Sequence, residues 1–164
     1  MLIALSGLPG TGKTTIARLL AQRLRAVHLR IDTIEQALLR GGASAPIGAE
    51  GYVVAYAVAA DNLRLGHRVI ADCVNAARVS RDAWQAVAQQ CGVEYLPVHL
   101  CCGDRDEHRR RVAGRQADIE GHVLPTWEQV SALRFDPHAP GVVSIDTAQC
   151  DAATAVERIV RLVR

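Results

Sequence analysis

Short apolar runs alternate with helical patterns along the whole chain. Residues 2–5 form the first apolar run, glycines follow, and apolar residues then recur at helical spacing from Ile16 to Leu24. A short apolar run is typical of a buried strand, and the later spacing places its apolar residues on one helix face. Because the same alternation continues to the end of the chain, it predicts a parallel sheet covered by helices on both faces.

The same pattern predicts the boundaries of the remaining elements. Further strands are expected at residues 26–31, 68–72, 93–101 and 142–146. Further helices are expected at residues 33–39, 53–65, 80–90, 104–115, 126–134 and 151–163. Ser80 and Thr126 are assigned as N-caps because their short hydroxyl side chains can accept hydrogen bonds from the first free N–H groups. A chain of 164 residues is expected to form a single domain, residues 1–164.

The segment between the first strand and the first helix has the pattern of a phosphate-binding loop. It reads Gly-x-x-x-x-Gly-Lys-Thr, and it stands in the strand, loop and helix context that gives this motif its meaning. Its glycines let the backbone curl with N–H groups facing inward, and the helix start adds further N–H groups. The predicted nucleotide-binding residues of this loop are Gly7, Gly10, Thr11, Gly12, Lys13, Thr14 and Thr15.

Two side chains of this loop have specific expected roles. Lys13 is expected to reach the β- and γ-phosphates of ATP, and the Thr14 hydroxyl is expected to ligate Mg²⁺. Lys13 is also the only lysine of the sequence, which otherwise uses arginine. A compact ammonium group therefore stands where a point charge is wanted. The motif predicts ATP and Mg²⁺ as cofactors.

Acidic residues follow the second and third predicted strands. Ligands of parallel sheets lie beyond the carboxyl ends of the strands, so both side chains are candidates for the same site. Asp32 could accept the proton of an acceptor hydroxyl as a catalytic base, or it could serve only as a helix cap. Asp72 could hold Mg²⁺ or one of its waters, or it could be an ordinary turn residue.

The helix predicted at residues 104–115 is rich in arginine. Arg111 and Arg115 lie on one face of it, four residues apart, and Gly114 and Gly121 supply hinges for a lid at about residues 109–125. A solvated basic helix is the ordinary interpretation of such a run. In an ATP-using enzyme, guanidinium groups can instead stabilise charge on the transferred phosphoryl group. Arg111 and Arg115 are therefore candidate catalytic residues, and Arg111 is also a candidate nucleotide ligand.

Composition narrows the choice of partners and compartment. A formal net charge of +2 and 4% aromatic residues offer little basic or stacking surface, so nucleic acid is not the expected partner. No apolar stretch approaches the roughly 20 residues that span a bilayer. The first apolar run is too short for a secretory leader, and no basic residue precedes it. We therefore expect a cytoplasmic protein without membrane contact, either a monomer or a homodimer.

The five cysteines do not indicate a disulfide framework. Their number is odd and no Cys-x-x-Cys spacing occurs, so reduced thiols are expected. A zinc site built from His99, Cys101, Cys102 and His108 is conceivable. Adjacent cysteines at the end of a strand are, however, a poor tetrahedral ligand set.

Taken with these motifs, the chain resembles from end to end the small P-loop kinases of the nucleoside-monophosphate-kinase-like group. It is most similar to the compact AAA-type ATPase/kinase family, which is similar to gluconate kinase, shikimate kinase, chloramphenicol phosphotransferase and polynucleotide kinase. The resemblance is carried by residues 7–14, 29–32, 69–75, 111–115 and 126–128.

The resemblance has consequences for fold and site. It implies an α/β P-loop fold, a three-layer sandwich with a five-stranded parallel sheet of order 2-3-1-4-5 and a small lid. It further implies ATP with Mg²⁺, Asp32 as the base, Arg111 and Arg115 as lid arginines, and residues 147–150 near adenine. Two departures concern the acceptor: Glu35 stands where many relatives have arginine, and Arg30-x-Asp32 replaces the Asp-x-Asp of shikimate-type enzymes.

The predicted function is transfer of the γ-phosphoryl group of ATP to a hydroxyl of a small sugar-, antibiotic- or metabolite-like alcohol. Glu35 favours a neutral or cationic alcohol, unless it is an exposed helix residue paired with an arginine. Two alternatives stay open: a 5′-hydroxyl polynucleotide kinase, and a switch protein that binds and hydrolyses ATP without transferring the phosphoryl group.

Overall fold

The computed structural model describes residues 1–163, which contain five strands and seven helices. Arg164, the last residue of the predicted domain, lies outside the described residues. The strands are β1 (Leu2–Ser6), β2 (Val27–Arg30), β3 (Val69–Asp72), β4 (Tyr95–Cys101) and β5 (Val143–Asp146). The helices are α1 (Lys13–Leu24), α2 (Ile31–Arg40), α3 (Glu50–Arg64), α4 (Arg78–Gln90), α5 (Arg105–Ala113), α6 (Trp127–Ala132) and α7 (Ala152–Val160).

All strand pairs of the sheet are parallel, and the strand order is β2-β3-β1-β4-β5. The predicted fold class and sheet order are thereby confirmed. β1 is central and buried at every position, with β3 on one side and β4 on the other. Since the chain leaves β1 directly into the glycine loop, that loop lies at the carboxyl edge of the sheet, between two neighbouring strands.

The two faces of the sheet are covered by different helices. Alternate side chains of β1 point to opposite faces, so Leu2 and Ala4 join the core with α3 and α4, whereas Ile3 and Leu5 join the core with α1 and α7. Trp84 of α4 is fully buried in the first core. Burial of a large side chain stabilises a fold by about 2 kcal/mol or more, and these two layers hold the carboxyl edge of the sheet in place. No helix within residues 1–163 is both long and apolar enough to cross a membrane.

One predicted helix cap is wrong and another is confirmed. α4 begins at Arg78, and Ser80 lies inside it, where its hydroxyl donates to the Ala77 carbonyl at 2.8 Å. The N–H of Arg78 donates instead to the Asp136 carboxylate at 2.7 Å, a partner 58 residues away that local sequence does not reveal. Thr126 caps α6 as predicted, since its hydroxyl accepts the N–H of Gln129 at 3.3 Å.

Candidate functional site

The glycine loop has the open backbone that a phosphate requires. Gly10 and Gly12 adopt φ angles of 87° and 86°, a region that favours glycine. A Cβ at Gly10 would lie 2.6 Å from the Val112 side chain, so this glycine allows α5 to approach the loop. A Cβ at Gly12 would meet nothing within 4 Å, so the space in front of the loop is open to a ligand.

The start of α1 supplies the donors for such a ligand. Gly12 is the N-cap residue and contributes no side-chain hydrogen bond, so the first N–H groups of the helix keep their donor capacity. The positive end of the helix dipole points the same way. Open space together with free donors and a positive dipole fits the phosphates of a nucleotide.

Lys13 is buried beside this space, and no carboxylate of residues 1–163 forms a direct ion pair with it. Its side chain is 8% exposed, and its Nζ donates to the Leu8 carbonyl at 2.9 Å. Burial lowers the pKa of Lys13 to about 8, although the nearby carboxylates of Asp72 and Asp32 act in the opposite direction. An ammonium group that is desolvated in this way is electrostatically prepared to receive phosphate oxygens.

The predicted metal ligands lie at the same cavity. Thr14 lines it from α1, and Asp72 lines it from the end of β3, where the carboxylate is 3% exposed and lies 3.2 Å from His28 Nε2. A hydroxyl and a carboxylate are oxygen donors of the kind that Mg²⁺ prefers, and Mg²⁺ is usually held by few protein ligands together with substrate phosphates. The donor set therefore fits the predicted cofactor.

The four candidates for a zinc site do not come together. His99 Nδ1 lies 3.4 Å from Ser6 Oγ, whereas His108 Nε2 lies 2.8 Å from the Pro9 carbonyl oxygen. Within residues 1–163, no group of three or more metal-binding side chains has a geometry that could hold a metal ion. The separation arises because the two histidines lie on different elements, β4 and α5, and each packs against its own partner.

A cavity of about 380 Å³ joins most of the predicted site residues. Those lining it are Gly10, Gly12, Lys13, Thr14, Thr15, Asp32, Asp72, Arg111 and Arg115. Gly7 and Thr11 do not line it; they shape the loop from behind. A Cβ at Gly7 would come within 2.1 Å of the Leu100 carbonyl oxygen, and the Thr11 hydroxyl donates to Leu8 at 2.9 Å. Asp32 reaches the cavity from the first turn of α2, because β2 ends at Arg30, one residue earlier than predicted, and α2 begins at Ile31.

The two candidate arginines have different surroundings. Arg111 donates through Nη1 to the Thr147 hydroxyl and through Nη2 to the Thr147 carbonyl, both at 3.0 Å, and its Nε donates to Glu107 at 2.8 Å. The Thr147 hydroxyl also lies 3.1 Å from the Thr11 carbonyl oxygen. Arg111 thus connects the loop after β5 to the glycine loop. Arg115 makes no ion pair within residues 1–163 and lies close enough to Lys13 to lower the pKa of that lysine.

Three further residues at this edge were not predicted from the sequence. His122 lines the cavity, and its Nε2 lies 3.9 Å from the Asp32 carboxylate. Arg30, at the end of β2, is 7% exposed and forms an ion pair with Asp118. Residues 30 and 118 are 88 positions apart, and Asp118 stands in an ordinary polar segment, so no local signal connects them.

Glu35 lies behind Asp32 rather than at the cavity surface. Its Cγ would be 2.5 Å from a Cβ at Gly51, which shows that α2 and α3 approach closely here because residue 51 is glycine. Burial, with a smaller contribution from Asp32, raises the pKa of Glu35. Within residues 1–163 it makes no ion pair with an arginine, so the alternative of an exposed, arginine-paired glutamate does not describe it.

The site combines a glycine loop between a strand and a helix, a lysine at the end of that loop, and carboxylates at the ends of neighbouring strands. These features define a P-loop nucleotide-binding protein. A protein-family model described as AAA domain matches residues 2–134, which is most of the chain. The chain therefore belongs to this AAA domain family. None of the curated proteins compared with the chain matches it.

Solved structures with the same fold cover nearly the whole chain. APS kinase CysC of Mycobacterium tuberculosis in complex with AMPPNP and APS is 19% identical, with a TM-score of 0.73 and coverage of 98% of this chain and 95% of that one. Kti12 of Chaetomium thermophilum in complex with ADP-AlF3 is 19% identical, with a TM-score of 0.73 and full coverage of both chains. A gluconokinase of Sinorhizobium meliloti 1021 is 18% identical, with a TM-score of 0.61 and coverage of 99% and 97%. At these identities the likeness shows the fold.

Proposed function

We propose that this protein is an ATP-dependent phosphotransferase that phosphorylates a hydroxyl group of a small molecule. The observation that carries the proposal is the composition of one cavity. It joins Lys13, which is buried, and Arg115, which has no ion-pair partner among the described residues 1–163, to the carboxylate of Asp32. The cations suit the triphosphate of ATP, and the carboxylate suits an acceptor hydroxyl. Kinases among the structures of the same fold support this assignment.

The protein's own residues would hold the nucleotide as follows. The N–H groups at the start of α1 bind the phosphates, and Lys13 balances the charge of their outer oxygens. Thr14 and Asp72 would hold Mg²⁺, which supplies further charge neutralisation at the β- and γ-phosphates when bound. Arg111 and Thr147 support the loop after β5 next to the glycine loop, the region that the family resemblance places near adenine.

Transfer then requires an acceptor oxygen on the side of Asp32. The Asp32 carboxylate accepts the hydroxyl proton while the acceptor oxygen forms a bond to the γ-phosphorus. The bond between that phosphorus and the bridging oxygen breaks, and ADP leaves with the bonding electrons. Arg115 stabilises the charge on the phosphoryl oxygens during the transfer, because its guanidinium is held by no other ion pair within residues 1–163.

The charges around Asp32, where the acceptor hydroxyl would bind, favour a neutral or cationic alcohol as the acceptor. Asp32 and Asp72 line this part of the cavity, and Glu35 lies directly behind Asp32. Arg30 is paired with Asp118 and does not line the cavity. An anionic group of the acceptor placed next to Asp32 would be repelled by its carboxylate, whereas a sugar, an amino sugar or a similar amine-bearing alcohol would not. The same charge distribution disfavours the phosphate backbone of a nucleic acid.

Acceptor-dependent release of ADP tests the proposal. The protein is incubated with Mg²⁺-ATP and panels of neutral, amine-bearing and carboxylate-bearing alcohols, with a 5′-hydroxyl oligonucleotide as a separate arm. We expect stimulation and a phosphorylated product in the neutral or amine-bearing panel. Stimulation by the oligonucleotide alone would favour the polynucleotide kinase, and hydrolysis that no acceptor stimulates would favour the switch protein.

A substitution at Asp32 tests the assigned base with the acceptor found in this way. Asp32→Asn should lower kcat by about 10²- to 10⁴-fold, because proton transfer to a positioned base contributes that much, while the Kd for the nucleotide stays within about threefold. Asp61→Asn, at an exposed position of α3, is the matched control. Retained turnover in Asp32→Asn would show that Asp32 is only a structural residue of α2.

A further inference from the structure

The end of β2 holds a buried cation between two carboxylates. Arg30 is 7% exposed, and a buried guanidinium requires a partner because desolvation of an unpaired charge is costly. Its Nη1 donates to Asp118 Oδ2 at 2.9 Å and its Nη2 to Asp118 Oδ1 at 3.0 Å, a two-point contact. Its Nη2 also lies 3.6 Å from Asp32 Oδ2, beyond hydrogen-bond distance.

Asp118 belongs to the irregular segment 114–126 that connects α5 to α6, which we call the lid segment. This segment follows the arginine helix and contributes Arg115, His122 and Pro125 to the cavity. Asp118 also accepts a hydrogen bond from Arg18 of α1. One carboxylate therefore connects the lid segment to the helix that follows the glycine loop and to the strand that precedes Asp32.

The identity of Arg30's partner decides what Asp32 can do. With the lid segment in place, Asp118 occupies both Nη groups of Arg30, and Asp32 is left to accept a proton. If the lid segment moves away, Arg30 loses Asp118, and the nearest remaining carboxylate within residues 1–163 is Asp32, which lies 3.6 Å from its Nη2. A carboxylate in a two-point contact with arginine is a poorer base, because the cation favours its charged form.

On the basis of the proposed function, we propose that Asp118 is a positioning residue that makes phosphoryl transfer depend on closure of the lid segment. In the closed state Asp118 binds Arg30 and leaves Asp32 free to accept the acceptor proton as the new O–P bond forms and ADP departs. In the open state Arg30 pairs with Asp32, so that water entering the open site does not become a substrate. The arrangement would limit wasteful hydrolysis of ATP.

Limited trypsin digestion tests the contact between Asp118 and the body of the protein. The bond after Arg115 lies at the start of the lid segment, and the fragment that ends there can be followed by mass spectrometry in the presence of Mg²⁺-AMPPNP. Asp118→Asn should be cleaved at this bond about tenfold faster than the native protein, because the lid segment then loses its two-point contact with the buried Arg30. Asp61→Asn should be cleaved at the native rate. Equal cleavage of Asp118→Asn and the native protein would overturn the proposal.

A double substitution distinguishes pairing of Arg30 with Asp32 from a general increase in the mobility of the lid segment. With water as the acceptor, phosphate release from Mg²⁺-ATP should fall about tenfold in Asp118→Asn, while the Kd for AMPPNP stays within about threefold. Arg30→Met and the double variant of Asp118→Asn with Arg30→Met should both be about tenfold faster than Asp118→Asn: they lose the same ion pair and loosen the segment equally, but they lack the cation that would pair with Asp32. Thermal unfolding confirms that each variant is folded. A double variant as slow as Asp118→Asn would overturn this inference alone, whereas no turnover with water or any alcohol would overturn the proposed function as well.

Discussion

The protonation state of Lys13 should set the pH dependence of nucleotide affinity. Burial lowers the pKa of Lys13 to about 8 in the free protein, so the ammonium loses its proton within an accessible pH range. Bound phosphates would stabilise the charged form and keep the lysine protonated. Affinity should therefore decrease as the pH rises through the pKa of the free protein, because binding then requires uptake of a proton.

The magnitude follows from the fraction of protein that is protonated before binding. With a pKa of about 8, Lys13 is roughly nine-tenths protonated at about pH 7 and roughly one-tenth protonated at about pH 9. If only the charged form binds, the Kd rises about tenfold over this interval, which corresponds to about 1.4 kcal/mol. A phosphate group has its own pKa at about 6, so the nucleotide contributes little to the change.

Isothermal titration calorimetry with Mg²⁺-AMPPNP in two buffers of different ionisation enthalpy measures both quantities. We expect a Kd that increases across the interval and an uptake of about one proton per nucleotide at about pH 9, with little uptake at about pH 7. Lys13→Met is the control: its affinity should be weak and independent of pH, and its thermal stabilisation by Mg²⁺-ATP should be lost. A native Kd that does not change with pH, or the same slope in Lys13→Met, would refute the assigned contact between this lysine and phosphate.

Two further predictions concern the arginines and Glu35. Arg115→Met should lower kcat by about 10²- to 10³-fold with little change in nucleotide Kd, as expected for a group that stabilises the transition state. Arg111→Met should instead raise the nucleotide Kd by about tenfold or more through loss of the Thr147 contacts. A main effect of Arg115→Met on nucleotide Kd and of Arg111→Met on kcat would contradict these assignments. Glu35→Gln should raise the Tm at about pH 7 and much less at about pH 4, because burial raises the pKa of Glu35 and the ionised form destabilises the fold only above the unfolded-state pKa. An equal effect at both pH values would show that its charge is not destabilising.

The segment after α6 shows how distant residues complete this edge of the sheet. Arg81 of α4 donates to the carbonyl oxygens of Asn75 and Ala76, and also to those of Asp136 and Pro137. Its guanidinium thus joins the loop after β3 to the segment before β5. The structure therefore gives Arg81 the role of a structural link between these two segments.

Prediction from the sequence was most successful for structural features that depend on a few neighbouring residues. The glycine loop and the Thr126 cap each follow from a short stretch of sequence, because glycine conformations and capping act over a few residues. The sheet order was implied by the family resemblance. Asp32 and Asp72 were assigned to the correct edge of the sheet, since the ends of parallel strands meet there. The start of α4 was wrong because its cap, Asp136, comes from another part of the chain.

Tertiary structure alone decided which charges meet. Nothing in the sequence connects Arg30 to Asp118, 88 positions away, and only folding brings them into a two-point contact next to Asp32. The same holds for Arg111 and Thr147, and for the burial that lowers the pKa of Lys13. Backbone geometry and periodicity are properties of neighbouring residues, whereas desolvation and ion pairing depend on distances across the fold. The phosphate-binding loop was therefore visible in the sequence, and the electrostatic environment around it was not.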